Sequence, residues 1–103
     1  MTLEQLRIFV AVAEREHLTR AAEALSLSPS AVSAAIKGLE ERHGARLFDR
    51  VGRRIEMTAT GRVFLPAAKA TLTAAMAAET ALSETTGLAR GSLAIHASQT
   101  VAA

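Results

Sequence analysis

A chain of 103 residues, half of them hydrophobic, can hold one small domain plus an extension. Three Phe and no Tyr or Trp leave aliphatic side chains and alanine to fill the core, which suits helices. With no cysteine, disulfides and thiolate metal sites are excluded, and the net charge of only +2 selects no partner as a whole, so any partner must be read from where the charges lie.

Thr2 followed by Gln5 is a capping-box pattern, with Met1 and Leu6 placed to form a hydrophobic staple. Leu3, Leu6, Val10 and Ala13 recur at three- to four-residue spacing, and Phe9 widens that face. A first helix is expected over 3–15, completing a three-helix core. Thr19–Leu25 reads as a second helix capped by Thr19, followed by a turn at Ser26-Leu27-Ser28. Ser28 caps a third helix, and Pro29 fits its first position, where the missing N–H costs nothing. That helix runs to about His43 and ends at Gly44, which can take the left-handed conformation. Ala21 and Ala22 allow a close helix crossing. Val32, Ile36 and Leu39 face inward, which leaves Ser30, Ser33, Ala34 and Lys37 outward. Two short helices joined by a tight turn, with small polar residues and one cation on the outer face of the second, make a surface able to approach base edges in a major groove.

Arg46–Arg50 and Ile55–Met57 are short, partly alternating runs around Val51-Gly52-Arg53-Arg54. They are expected to form a two-stranded wing, with Phe48 turned to the core. Six arginines (Arg42, Arg46, Arg50, Arg53, Arg54, Arg62) stand here against Asp49 and Glu56, a local cationic stretch of the kind that binds phosphate. Ser28, Pro29, Ser30, Ser33, Ala34 and Lys37 on the helix, with Arg50, Arg53 and Arg54 on the wing, are the candidate DNA-binding residues.

Thr58 caps a further helix expected from Gly61 to about Thr86 and stopped by Gly87. At about 28 residues it would extend about 42 Å. Pro66 lies inside it and should bend it. Its apolar positions Val63, Leu65, Leu72, Met76 and Leu82, with Ala75 and Ala78, need a covering partner, and a second copy of the same helix is the economical one. Residues 91–98 then read as a β-strand. Since a lone strand is not stable, the sequence is expected to end just inside a second domain. The organisation is therefore a winged helix-turn-helix over 1–57, a linker and dimerisation helix over 58–87, and the start of a further domain over 88–103.

Catalytic chemistry is not expected. His17, His43 and His96 fit no metal spacing, Glu40 and Glu41 are adjacent on a helix, and no phosphate loop or nucleophile constellation occurs. The N-terminus has no apolar signal segment, and no run approaches a membrane span, so a cytoplasmic setting without membrane association is expected.

Phe9, Ala13, Thr19-x-Ala21-Ala22-x-x-Leu25, Ala31-Val32-Ser33, Ile36, Leu39-Glu40, Gly44-x-x-Leu47-Phe48-x-Arg50 and Thr58-x-x-Gly61 together resemble the N-terminal part of a LysR-type transcriptional regulator. The resemblance implies a mainly α fold: a winged helix-turn-helix of three helices and a two-stranded wing, then a long linker helix that pairs in a homodimer, with homotetramers common. It implies binding to double-stranded DNA at imperfect palindromes of T-N11-A pattern. It also implies a ligand domain for a small-molecule effector, with Ser98 and Thr100 at effector positions and no cofactor in the present residues, and contact with RNA polymerase. Two departures stand out. Pro29 occupies a position where the family usually has glutamine, and Ala34 and Ala35 stand where larger polar side chains are frequent. Readout is expected to lean on methyl contacts and DNA shape. Other readings of the same residues are a winged-helix regulator of molybdate-responsive type, or a helical protein-interaction module.

Overall fold

The computed structural model describes residues 1–52 and 54–94, with side chains to residue 87. Four helices and one hairpin follow in the order α1 (Leu3–Arg15), α2 (Leu18–Leu25), α3 (Pro29–His43), β1 (Phe48–Val51), β2 (Arg54–Met57) and α4 (Ala59–Ala94). The chain divides into two compact units, Met1–Leu72 and Thr73–Ala103.

In the first unit α1, α2 and α3 pack on one another. Local signals start and stop them. Thr2 and Gln5 form the expected reciprocal capping box. Ser28 Oγ accepts from the Ala31 N–H at 3.1 Å, with Pro29 opening α3. Gly44 closes α3 in the left-handed region at φ +61°. The second helix corrects one expectation: it begins at Leu18, and its cap is His17, not Thr19. His17 Nδ1 accepts from the Arg20 N–H at 3.1 Å. Any acceptor three residues ahead of that amide satisfies it, and an imidazole nitrogen can serve in place of a hydroxyl. Thr19 lies exposed in the first turn.

The buried face of α1 is broader than its spacing announced, with Leu6, Ile8, Phe9, Ala11, Val12 and Ala13 buried while Leu3 stays exposed. Ala21 and Ala22 are buried at the α2 crossing, and Val32, Ile36 and Leu39 form the inner face of α3. All three aromatic side chains meet at one place. The Phe9 ring lies 5.4 Å from that of Phe48 and 4.9 Å from that of Phe64, both tilted. Phe64 and the buried Ala68 belong to α4, so the first turns of that helix are part of this core, and Lys69 on α4 pairs with Glu14 on α1 at 3.1 Å.

The wing is antiparallel, with Phe48 opposite Met57, Asp49 opposite Glu56, Arg50 opposite Ile55 and Val51 opposite Arg54. Gly52, which follows the last residue of β1, takes φ +63°, a conformation that suits glycine. The first strand starts at Phe48, two residues later than expected, because the backbone of residues 46 and 47 is engaged elsewhere. The Glu40 carboxylate accepts from the N–H of Leu47 at 2.7 Å and of Phe48 at 3.2 Å, and the Arg46 carbonyl accepts from Thr58 Oγ1 at 2.6 Å. Glu40 thus ties α3 to the root of the wing. Glu40→Gln keeps one acceptor and loses the charge, and is expected to cost about 1 kcal/mol. Urea unfolding checks this, and an unchanged midpoint would remove Glu40 from that role.

The expected stop at Gly87 is corrected, since α4 continues through it to Ala94. Glycine ends a helix by turning left-handed, and Gly87 is not among the positive-φ residues. Inside a helix it costs only about 1 kcal/mol relative to alanine. Residues 91–94, expected as the start of a strand, are helical. The rest of that expected strand, with Ser98 and Thr100, lies outside the described residues. Pro66 sits within α4 without ending it.

Candidate nucleic-acid interface

Ser30, Ser33, Ala34 and Lys37 are spaced by three and four along α3, so they share one face of the helix. Ser28, Pro29, Ser30, Ala34 and Lys37 are exposed and Ser33 is half-buried, while the opposite face holds Val32, Ile36 and Leu39 in the core. Leu18, Pro29, Ser30, Ser33, Ala34 and Lys37 line one shallow concavity. A second, deeper cleft of about 740 Å³ lies between α3 and the wing. Leu18, Ser33 and Lys37 line it too, joined by Arg46, Asp49 and Arg50 among others. Shared lining makes the two depressions one continuous surface from the N-terminus of α3 to β1.

The fold therefore brings Ser30, Ser33, Ala34, Lys37 and Arg50 together. Arg54 is exposed on β2 opposite Val51 and does not line the cleft. Arg53 lies outside the described residues. Three contributors were missed in the sequence. Leu18 floors both depressions, and its place became visible only once α2 was seen to start there. Arg46 lines the cleft, and its Nη2 donates to Asp49 Oδ1 at 2.8 Å. The three-residue spacing of Arg46 and Asp49 inside the arginine stretch was the available signal. Glu40 also lines the cleft, with its carboxylate turned to backbone amides.

Among the described residues the surface has no buried acid or base facing a cavity, and no buried polar side-chain atom lacks a partner. No group of three metal-ligating side chains occurs among them either. What the arrangement offers is hydroxyls, a methyl and cations on a solvent-open face, which suits hydrogen bonding and charge recognition.

On α4 the residues read as a dimer face separate into two sets. Leu65 and Leu72 are half-buried against the first unit's own core. Val63 is 79% exposed, Met76 67% and Leu82 69%, while Ala78 is exposed and Ala75 half-buried. No helix among the described residues is long and apolar enough to cross a membrane.

Residues 3–62 match the family model for the bacterial regulatory helix-turn-helix protein, lysR family. The chain belongs to the LysR family. It is 44% identical over 95 residues to the SDS degradation transcriptional activation protein of a Pseudomonas strain, covering 92% of this chain and 31% of that protein. Among solved structures, a CbnR DBD–DNA complex is similar with TM-score 0.78 and 32% identity, covering 84% of this chain and 99% of that one. The BenM DBD in complex with benA site 1 DNA is similar with TM-score 0.76 and 32% identity, covering 82% of this chain and 98% of that one. The chain spans about one third of the length of the Pseudomonas protein and of the RuBisCO operon transcriptional regulator of Allochromatium vinosum, to which it is 40% identical over 101 residues. Its first unit is the winged helix-turn-helix of that family, and the relatives are transcriptional regulators.

Proposed function

We propose that this chain is the DNA-reading part of a LysR-type transcription regulator and binds imperfect palindromes of T-N11-A type as a dimer. The observation that carries this reading is the continuous face joining Ser30, Ser33, Ala34 and Lys37 to Arg50. In this reading α3 enters the major groove, with the Ser28 and Pro29 end nearest the phosphates, where the Ser30 N–H can donate. Ser30 and Ser33 meet base edges or phosphates, Ala34 meets a thymine methyl, and Lys37 reaches a guanine or a phosphate. Arg50, Arg53 and Arg54 hold the backbone beside the wing. The DNA in the CbnR and BenM complexes supports this assignment by likeness.

Two such heads need fixed spacing. The exposed Val63, Met76 and Leu82, with Ala75 and Ala78, support pairing of α4 with a second copy, and two dimers joining as a tetramer would extend it. Residues 1–57 then act as the reading head and the helix from 58 as the dimerisation element. In the longer proteins of the family a following domain would bind a small-molecule effector and alter the angle between heads or the contact with RNA polymerase. The activity is binding in the cytoplasm, with no catalysis.

The test is titration of the protein onto duplexes carrying a T-N11-A palindrome and onto scrambled duplexes of equal length, at two salt concentrations. Preference for the palindrome with two or more chains per duplex is expected. Binding at neither salt would overturn the reading in favour of a protein-interaction module. Ser33→Ala is expected to weaken palindrome binding by about 1–3 kcal/mol, and equal affinity would remove Ser33 from the readout. Arg50→Ala is expected to weaken palindrome and scrambled duplexes alike, since a phosphate contact carries no sequence information. A loss confined to the palindrome would contradict it. Ala75→Glu with Ala78→Glu is expected to convert dimers to monomers in sedimentation, and an unchanged mass would take these positions out of the interface.

A further inference from the structure

We propose that Arg46 is a phosphate-binding residue of this interface, and that on DNA binding it exchanges the Asp49 carboxylate for a phosphate. The proposal rests on the DNA reading above and adds two residues to it.

The root of Arg46 is held and its end is not. Its carbonyl accepts from Thr58 Oγ1 at 2.6 Å, and the next two amides donate to Glu40. Its guanidinium reaches back to Asp49 Oδ1 at 2.8 Å and makes a marginal contact with the Phe48 carbonyl at 3.5 Å. The side chains of Arg46 and Asp49 are 74% and 55% exposed, so the pair contributes little to folding. Both line the cleft that Ser33, Lys37 and Arg50 also line.

Of the two carboxylates in that cleft, Glu40 is already engaged by two amides. Asp49 is the one set against the cations. A guanidinium has five donors in a planar fork that matches phosphate as well as carboxylate, and most of them stay available while Asp49 takes one. A phosphate also brings release of condensed counterions, which a surface carboxylate does not. At low salt the exchange therefore runs toward DNA. It leaves Asp49 without its cation and directly across the strand pair from Glu56, a like-charge arrangement that opposes the exchange. Asp49 thereby lowers the affinity of the cleft for any phosphate backbone, while Arg46 raises it.

The experiment is titration of the parent, Arg46→Ala, Asp49→Asn and the double variant onto T-N11-A and scrambled duplexes over a salt series. Far-UV circular dichroism first shows that each variant is folded. Arg46→Ala is expected to weaken both duplexes by about three- to tenfold at low salt, and to reduce the slope of log affinity against log salt by about one. Asp49→Asn is expected to strengthen binding to both, and clearly less so when Arg46 is already alanine. That non-additivity is the signature of exchange, because loss of a through-space repulsion alone would raise affinity equally in both backgrounds. An equal gain in both backgrounds, or an unchanged slope for Arg46→Ala, overturns the proposal while leaving the DNA reading standing. A parent that binds no duplex overturns both.

Discussion

Phe9→Ala is expected to lower the stability of the first unit by about 3–5 kcal/mol. The ring is fully buried and stands between the rings of Phe48 and Phe64, so it joins α1, the wing and α4 at one point. Truncation removes the transfer free energy of the ring and leaves a cavity that three separate elements would have to move together to close. A unit of this size has about 4–11 kcal/mol of stability in total, so the loss is a large fraction of it. Urea unfolding should show a lower midpoint with an unchanged slope. Leu3→Ala, at an exposed position of the same helix, is the comparison and should stay within about 0.5 kcal/mol of the parent. Equal midpoints for the two variants would mean that the rings do not form the centre of this core.

Gly61→Ala is expected to destabilise by about 2–3 kcal/mol, against what helix propensity alone predicts. Propensity favours alanine over glycine in a helix by about 1 kcal/mol. Here the added Cβ would lie 2.4 Å from the Leu47 carbonyl oxygen and 3.3 Å from its carbon. Both are backbone atoms, so no side-chain rotation relieves the overlap. The start of α4 would have to lift away from the wing. That movement would strain the Thr58 contacts, in which its N–H donates to the Leu47 carbonyl at 2.9 Å and its Oγ1 accepts from the Gly61 N–H at 3.0 Å. The clash therefore outweighs the propensity gain. A fall in thermal midpoint of about 10–20 °C is expected by circular dichroism. Gly38→Ala gives the opposite sign, because a Cβ there would meet Gln5 Nε2 at 3.6 Å, an ordinary contact, within helix α3. It should gain up to about 1 kcal/mol. A Gly61→Ala protein as stable as the parent would show that the junction can shift at no cost.

The candidate interface was legible where its signals were local. Ser28 and Pro29 announced the start of α3, and the spacing of Val32, Ile36 and Leu39 assigned Ser30, Ser33, Ala34 and Lys37 to the other face. The wing arginines were visible as a charge cluster, but which of them borders α3 was not. Arg50 does so because it shares the cleft with Ser33 and Lys37, whereas Arg54 lies opposite Val51 on the neighbouring strand. Arg46 stood in the same cluster, and its three-residue spacing from Asp49 was the one local sign of its place.

Sequence alone determined the three helices of the first unit, the caps at Thr2 and Ser28, the left-handed end at Gly44 and a two-stranded hairpin around residues 51–54, because each depends on residues within a few positions of one another. It also determined that Ala21 and Ala22 sit at a crossing and that Phe48 turns inward. Tertiary structure decided that Phe64 and Ala68 of α4 belong to the core, and that Glu40 and Thr58 position the root of the wing. Most of these links join residues too far apart in the chain for any local pattern to register them. Glu40 reaches an amide seven residues on and Thr58 a carbonyl twelve residues back. The fate of Gly87 was undecided by sequence for a different reason, since the same glycine ends a helix when it turns left-handed and is carried along when its neighbours continue to propagate.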